Sequence, residues 1–126
     1  MSFEADFYAA LVADATLVAV VANRVYPELA PQAPTAPFVV FTRVFTEPKN
    51  SLDGFATNLE KIRVQVDCYA VAFDDLIALS AAVAAAVPDD GTWPVHGLLI
   101  NEVDFGLEEN TRLLRRMLEF SVFHRS

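Results

Sequence analysis

Cysteine, histidine and glycine are scarce in this sequence, and their scarcity excludes several kinds of site. The single cysteine, Cys68, rules out an intrachain disulfide and a zinc site built from cysteines. The two histidines, His96 and His124, have no other metal-ligating side chain at ligand spacing on their own segments. The four glycines are not clustered, as a phosphate-binding loop requires. We therefore expect no metal ion and no cofactor.

Basic residues and long apolar runs are also few. Nine lysines and arginines stand against seventeen aspartates and glutamates, a net charge of −8 that opposes binding to a nucleic-acid backbone. The apolar stretch at residues 11–22 is interrupted by Asp14 and is shorter than the roughly 20 residues of a membrane span. The first residues lack the basic start of a signal peptide. We expect a protein made in the cytoplasm that neither spans a membrane nor recognises a nucleic-acid sequence.

Apolar residues are abundant for a chain of this size. The 126 residues have the length of one domain, which we expect to span residues 1–126. Hydrophobic residues make up 54% of the chain and charged residues 21%, so a monomer would expose apolar surface. This composition favours an oligomer.

The clearest strand signal lies at residues 61–70. Apolar and polar residues alternate there, with Ile62, Val64, Val66 and Cys68 set against Arg63, Gln65, Asp67 and Tyr69. A period of two residues is typical of a strand with one buried face. Further strands are predicted over 38–45, which is apolar on both faces, and over 98–107 and 114–124. In the 98–107 strand the alternation assigns Leu99, Val103, Phe105 and Leu107 to one face.

Helical periodicity occurs in two parts of the chain. Apolar residues recur every three or four positions from Phe3 to Leu11, and Asp14 can cap a short helical turn after them. A second helix is predicted over residues 73–87, where proline and glycine then end it. The order of elements predicts an α+β domain with a mostly antiparallel sheet of about four strands and two helices packed on one face.

Residues 46–58 join two predicted strands through a loop rich in turn-forming residues. Loops of this length in compact domains are usually functional or mobile. Leu52 and Phe55 near its tip are unusual for a segment that meets only water. We expect this loop, called the arm below, to project from the sheet and contact a partner.

The candidate catalytic groups lack partners in the sequence. Cys68 lies on the apolar face of its strand, where a thiol behaves as a small hydrophobic side chain. Glu102, Asp104 and Glu108 fit the solvated face and turn of a hairpin better than paired catalytic carboxylates or a calcium loop. We therefore expect that the protein is not an enzyme.

Several segments, taken together and in order, resemble the small tail-completion or tail-terminator proteins of tailed bacteriophages, prophages and gene transfer agents. The matching segments are ADATL at 13–17, RVYP at 24–27, APQ at 30–32, PFVV at 37–40, SLDG at 51–54, RVQVDCYA at 63–70 and LEFSVFH at 118–124. Asn23 stands where the family often has glycine, and residues 89–97 match no segment that we can quote.

The resemblance implies a structural protein of the virion tail, assembled in the host cytoplasm. Such a protein forms a ring, expected to be hexameric, on the head-proximal end of the tail tube. The ring stops tube growth and offers a surface for head joining. Its implied partners are other copies of the chain, the major tail tube protein and the head–tail connector proteins, with DNA passing through the ring.

The same resemblance suggests which residues make contacts. The expected subunit or tube interface consists of Ser51, Leu52, Asp53 and Phe55 in the arm and Arg63, Asp67 and Tyr69 on the polar strand face. The helix at 73–87 is a further candidate, and the acidic candidates for the ring lumen are Glu102, Asp104 and Glu108. The alternative from another class is a small α+β binding module or enzyme that uses a pocket between sheet and helices.

Overall fold

The computed structural model describes residues 2–32, 34–50, 56–91 and 93–125. The predicted contacts at Ser51, Leu52, Asp53 and Phe55 lie outside the described residues.

The described chain contains three helices and five strands. In chain order these are α1 (Phe3–Val12), α2 (Ala15–Val21), β1 (Val25–Pro27), β2 (Phe38–Asn50), β3 (Ala56–Ala70), α3 (Phe73–Ala86), β4 (Val95–Glu108) and β5 (Leu113–Arg125). The structure therefore has one strand and one helix more than the sequence predicted, which was about four strands and two helices.

The extra helix and the extra strand have local causes. The Asp14 side chain accepts a hydrogen bond from the Leu17 amide at 2.9 Å, which caps α2 as a helix separate from α1. Strand β1 has only three residues, too few for a periodicity to be recognised. The proline-rich connector after β1 returns the chain so that β1 pairs with β2 in parallel.

The sheet has the order β1-β2-β3-β5-β4, and every pairing except β1 with β2 is antiparallel. The sheet is therefore mixed but mostly antiparallel, and the predicted α+β class is confirmed. Register shifts interrupt β2 between Arg43 and Phe45 and β4 between Leu99 and Asn101. The bulges in β4 break the alternation that the sequence predicted for this strand. Leu99 and Leu107 pair with residues of β5 on the core side of the sheet, whereas Val103 pairs with Met117 on the opposite side.

The core lies between the helices and one face of the sheet, called the helix face below. The predicted alternation in β3 is confirmed, since Ile62, Val64, Val66 and Cys68 are fully buried there. Side chains from all three helices join the same cluster, including Phe3 and Phe7 of α1, Leu17 and Val21 of α2 and Leu79 and Val83 of α3. The Phe7 and Phe41 rings meet edge to face at 5.0 Å. All three helices thus cover one face, as the sequence predicted for two.

Candidate assembly surfaces

The face of the sheet opposite the helices, called the open face below, carries no helix among the described residues. Paired residues in neighbouring strands share a face, so the register defines its rows. Three rows across β2, β3, β5 and β4 are Phe38-Tyr69-Arg115-Gly106, Val40-Asp67-Met117-Val103 and Thr42-Gln65-Glu119-Asn101. The open face therefore mixes aromatic, apolar and polar side chains, unlike the apolar helix face.

Asp67 is the centre of a hydrogen-bonded cluster on the open face. Although charged, it is only 5% exposed. Arg115 Nε donates to its Oδ1 at 3.0 Å, Arg115 Nη2 forms a salt bridge with the same oxygen at 2.9 Å, and Gln65 Nε2 donates to Oδ2 at 3.0 Å. Two predicted interface residues, Asp67 and Tyr69, thus lie close together, but the Asp67 carboxylate is already satisfied within the chain.

Aromatic rings enclose the same cluster. The Tyr69 ring stacks on Phe38 at 4.7 Å, and the Arg115 guanidinium lies 4.3 Å from the centroid of the Phe105 ring. Burial raises the pKa of the Tyr69 hydroxyl, an effect that the positive charge of Arg115 opposes. The cluster therefore forms a packed, partly aromatic surface, in which Tyr69 is neutral at physiological pH.

A groove of about 600 Å³ lies between the open face and the connector from β1 to β2. Its lining includes Leu29, Pro31 and Pro34 from the connector and Phe38, Val40 and Tyr69 from the sheet. Glu28 and Glu108 add negative charge to it. The alternative hypothesis requires a pocket between the sheet and the helices, whereas this groove lies on the other side of the sheet.

Arg63, the third described interface candidate, differs from Asp67 in its surroundings. It is exposed on the open face, where the register places it between Phe45 and Ser121. Phe45, Glu47 and Lys61 line a small depression with it. Arg63 is therefore accessible to a partner, whereas the carboxylate of Asp67 is not.

The three acidic residues proposed for the lumen do not form one patch. Glu102 and Asp104 pair across the sheet with Leu118 and Arg116 on the helix face. Arg116 forms a salt bridge with Asp104 through Nε, and its Nη1 lies 3.7 Å from Glu102. The hydrogen bond to Asp104 raises the pKa of Arg116. Glu108 instead lines the groove on the open face, so only Glu102 and Asp104 are brought together.

The two outer edges of the sheet expose apolar side chains that the sequence analysis did not single out. Leu98, Ile100 and Phe105 on β4 and Val44 and Phe45 on β2 are each between 45% and 62% exposed. A signal was present in both strands, because the apolar runs at 98–100 and 44–45 break the alternation expected of a half-buried strand. Phe73 and Ile77 on the predicted contact helix α3 are exposed as well.

A buried polar pair attaches α1 to the sheet, and the sequence analysis missed it. His124 Nε2 lies 2.7 Å from Asp6 Oδ2, both side chains are buried, and Nδ1 lies 3.8 Å from the Glu60 carboxylate. Arg43 forms a bidentate pair with Glu4 nearby, at 2.8 and 3.0 Å. His124 lies on the same buried face of β5 as Phe120 and Val122, where a histidine requires a polar partner.

These polar groups do not form a metal centre. No cluster of three or more histidine, cysteine, aspartate or glutamate side chains suited to a metal ion occurs within 2–32, 34–50, 56–91 and 93–125. None of the helices in these ranges is long and apolar enough to cross a membrane. The surfaces available for contact with a partner include the open face with its groove, the two exposed edges and the exposed side chains of α3.

Comparison with known proteins gives two findings. The family model described as "Tail completion protein gp17" matches residues 5–125. A chain of the solved structure "Virion of native gene transfer agent (GTA) particle" shares the fold, with a TM-score of 0.72 and 22% sequence identity over 99% of this chain and 96% of that chain. No curated protein matches.

Proposed function

The chain belongs to the tail completion protein gp17 family, and we propose that it forms a hexameric ring that caps the head-proximal end of a tail tube. Family membership gives it a structural role in the tail of a phage or of a related particle. In the proposed role the ring ends polymerisation of the tube and offers its opposite side to the head. Its partners are then the major tail tube protein below and the head–tail connector above.

The observation that carries the ring is the presence of different exposed apolar patches at opposite edges of one sheet. Val44 and Phe45 lie at the β2 edge, and Leu98 and Ile100 lie at the β4 edge, with β3 and β5 between them. Two patches that cannot meet within one chain can meet between neighbouring copies. Contacts between two different patches are heterologous, and they close into a ring when the rotation between copies permits.

The acidic composition is consistent with a ring through which DNA passes. A net charge of −8 opposes adsorption of the phosphate backbone to the protein. Because Glu102 and Asp104 lie on the helix face beside Arg116, those two residues are weaker lumen candidates than the sequence suggested. Glu108 and Glu119, both on the open face, are better placed if that face lines the lumen.

Disruption of the gene in the genome that produces the particles tests this function. The expected result is tail tubes of irregular length that lack heads, seen by negative-stain electron microscopy, with normal particles restored by a wild-type copy in trans. A copy carrying Val18→Ala, an exposed position on α2 that belongs to neither apolar edge patch, is the matched control and should restore particles equally well. Tails of normal length joined to heads in the disrupted strain would contradict the proposal.

A further inference from the structure

We infer that the sheets of neighbouring ring subunits join edge to edge, with β4 of one copy pairing antiparallel with residues 42–50 of β2 in the next. The inference rests on the proposed ring and names the contact that closes it. The occupant of each edge is a second copy of this chain. The ring wall would then be one continuous closed sheet.

Both outer edges lack a neighbouring strand along most of their length in the part of the chain that the structure describes. Strand β4 is the last strand of the sheet from Val95 to Glu108. At the other side, β1 pairs only with Val39, Val40 and Phe41 of β2. Residues 42–50, called the outer segment of β2, therefore have no neighbouring strand on their outer side within the described chain.

The strand directions permit this pairing between two neighbouring copies that have the same orientation. Strand β2 is antiparallel to β3, β3 to β5, and β5 to β4, so β2 and β4 run in opposite directions. When a second copy is set beside the first in the same orientation, its β2 lies next to β4 as an antiparallel partner. Antiparallel ladders are at least as stable per residue as parallel ones.

The β4 edge lacks the usual protection against pairing. Exposed edges in monomeric proteins are commonly short or carry lysine or proline. Strand β4 has fourteen residues and contains no lysine, arginine or proline. Its exposed side chains include Leu98, Ile100 and Phe105. A long apolar edge of this kind would cause aggregation unless a specific partner covered it.

The charges of the β4 edge disfavour contact between two copies of that same edge. Strand β4 carries Glu102, Asp104 and Glu108 and contains no lysine or arginine. Arg116 contributes one positive charge against the two carboxylates of Glu102 and Asp104, so the edge stays net negative. Like charges disfavour contact between two β4 edges, whereas Arg43 of β2 is already paired with Glu4 and adds no such repulsion. The β4 edge therefore favours a different edge, and the contact is heterologous, as a ring requires.

Bulges occur in the two strands that the contact involves. Register shifts interrupt β2 between Arg43 and Phe45 and between Pro48 and Asn50, and they interrupt β4 at two positions as well. The pairing of β3 with β5 runs without a shift from Leu59 to Ala70. Bulges bend strands and increase their twist, which a sheet needs in order to curve and close. Because the helices cover the other side, the open face would line the lumen.

Cysteine cross-linking tests the contact directly. Val44→Cys is combined in turn with Leu98→Cys, Ile100→Cys and Phe105→Cys, and purified particles are oxidised and run on a non-reducing gel. At least one pair should give covalent dimers and higher multimers that reductant removes. Each single variant should give monomer, since native Cys68 is fully buried and burial raises the pKa of its thiol. Val44→Cys with Ala85→Cys, on the outer side of α3, is the matched control pair and should also give monomer.

Electron microscopy of the same particles separates the outcomes. If the particles carry rings but all three cysteine pairs give only monomer on the gel, the edge contact is overturned and the proposed function stays intact. Multimers from the control pair at a similar yield would also overturn it. Particles without any ring of this chain would refute both proposals.

A measurement on the unmodified chain avoids any effect of substitution on folding. Amide hydrogen exchange of the outward-facing amides in residues 98–107 should slow at least tenfold when the chain passes from monomer to ring. Amides of α3 serve as the internal control and should change little. Unchanged exchange in β4 after ring formation would overturn the edge contact.

Discussion

Asp67 and Arg63 lie on the same strand face, and their substitution should separate folding from assembly. Asp67→Ala removes a carboxylate that is 5% exposed and accepts hydrogen bonds from Arg115 and Gln65. Removal of one member of a buried ion pair costs about 3–5 kcal/mol. Because the Arg115 side chain is 25% exposed, water can partly solvate it, and we expect a loss of about 2–3 kcal/mol.

Arg63→Ala is the matched variant on the same strand. Its side chain is exposed, so its free energy of unfolding should stay within about 0.5 kcal/mol of the parent protein. Residues four apart on a strand are about 13 Å apart. At that distance the effects of the two substitutions should add in the double variant.

Urea unfolding followed by circular dichroism measures the stability of each variant, and complementation of the disrupted gene measures assembly. Arg63→Ala should reduce the number of tails joined to heads while its free energy of unfolding stays unchanged. Asp67→Ala should impair assembly only because it lowers the free energy of unfolding. Assembly should therefore recover when the particles are produced at a lower temperature. An unfolding free energy for Asp67→Ala within 0.5 kcal/mol of the parent would refute the reasoning about the cluster.

Three further substitutions test local features of the fold by urea unfolding. Burial raises the pKa of Glu4, but the hydrogen bonds from Arg43, a backbone hydrogen bond and nearby positive charge together hold it below its ordinary value of 4.5. The pair therefore stabilises the fold above pH 4.5, and this contribution is lost as the pH falls through the lower folded pKa. Glu4→Gln should therefore cost about 0.5–1 kcal/mol at pH 7, with the difference from the parent vanishing in acid; a constant difference would contradict it. Gly97→Ala should lower the free energy of unfolding by about 1–3 kcal/mol, because the new Cβ would lie 2.8 Å from Val122 Cα. An unchanged free energy of unfolding would show that β4 can move away from Val122. Asp14→Ala should cost about 1 kcal/mol through loss of the α2 cap, and retention of full stability would mean that water replaces it.

The parts of the fold that follow from local periodicity could be predicted from the sequence. The alternation of Ile62, Val64, Val66 and Cys68 identified the buried face of β3, since a strand with one covered face repeats every two residues. Strand β1 could not be found in this way, because its three residues acquire their strand conformation by pairing with β2. The bulges in β4 were also hidden, since they shift the register without any change in composition.

The candidate surfaces were less predictable than the fold because they depend on contacts distant in sequence. Nothing in the polar face of β3 distinguishes Asp67, which Arg115 neutralises from 48 residues away, from the exposed Arg63. The Asp6 partner of His124 lies 118 residues away and could be inferred only as a requirement of burial. The apolar runs at 44–45 and 98–100 mark the exposed segments in the sequence, but only the strand order shows that these segments lie at the outer edges of the sheet.

Cryo-electron microscopy of the head–tail junction in particles that carry this chain tests the central claim most directly. The account predicts a closed ring of copies of this fold between the tail tube and the connector, with the helices outside and the open face toward the DNA. Copies of the chain located elsewhere in the tail, or a junction without a ring of this fold, would contradict it.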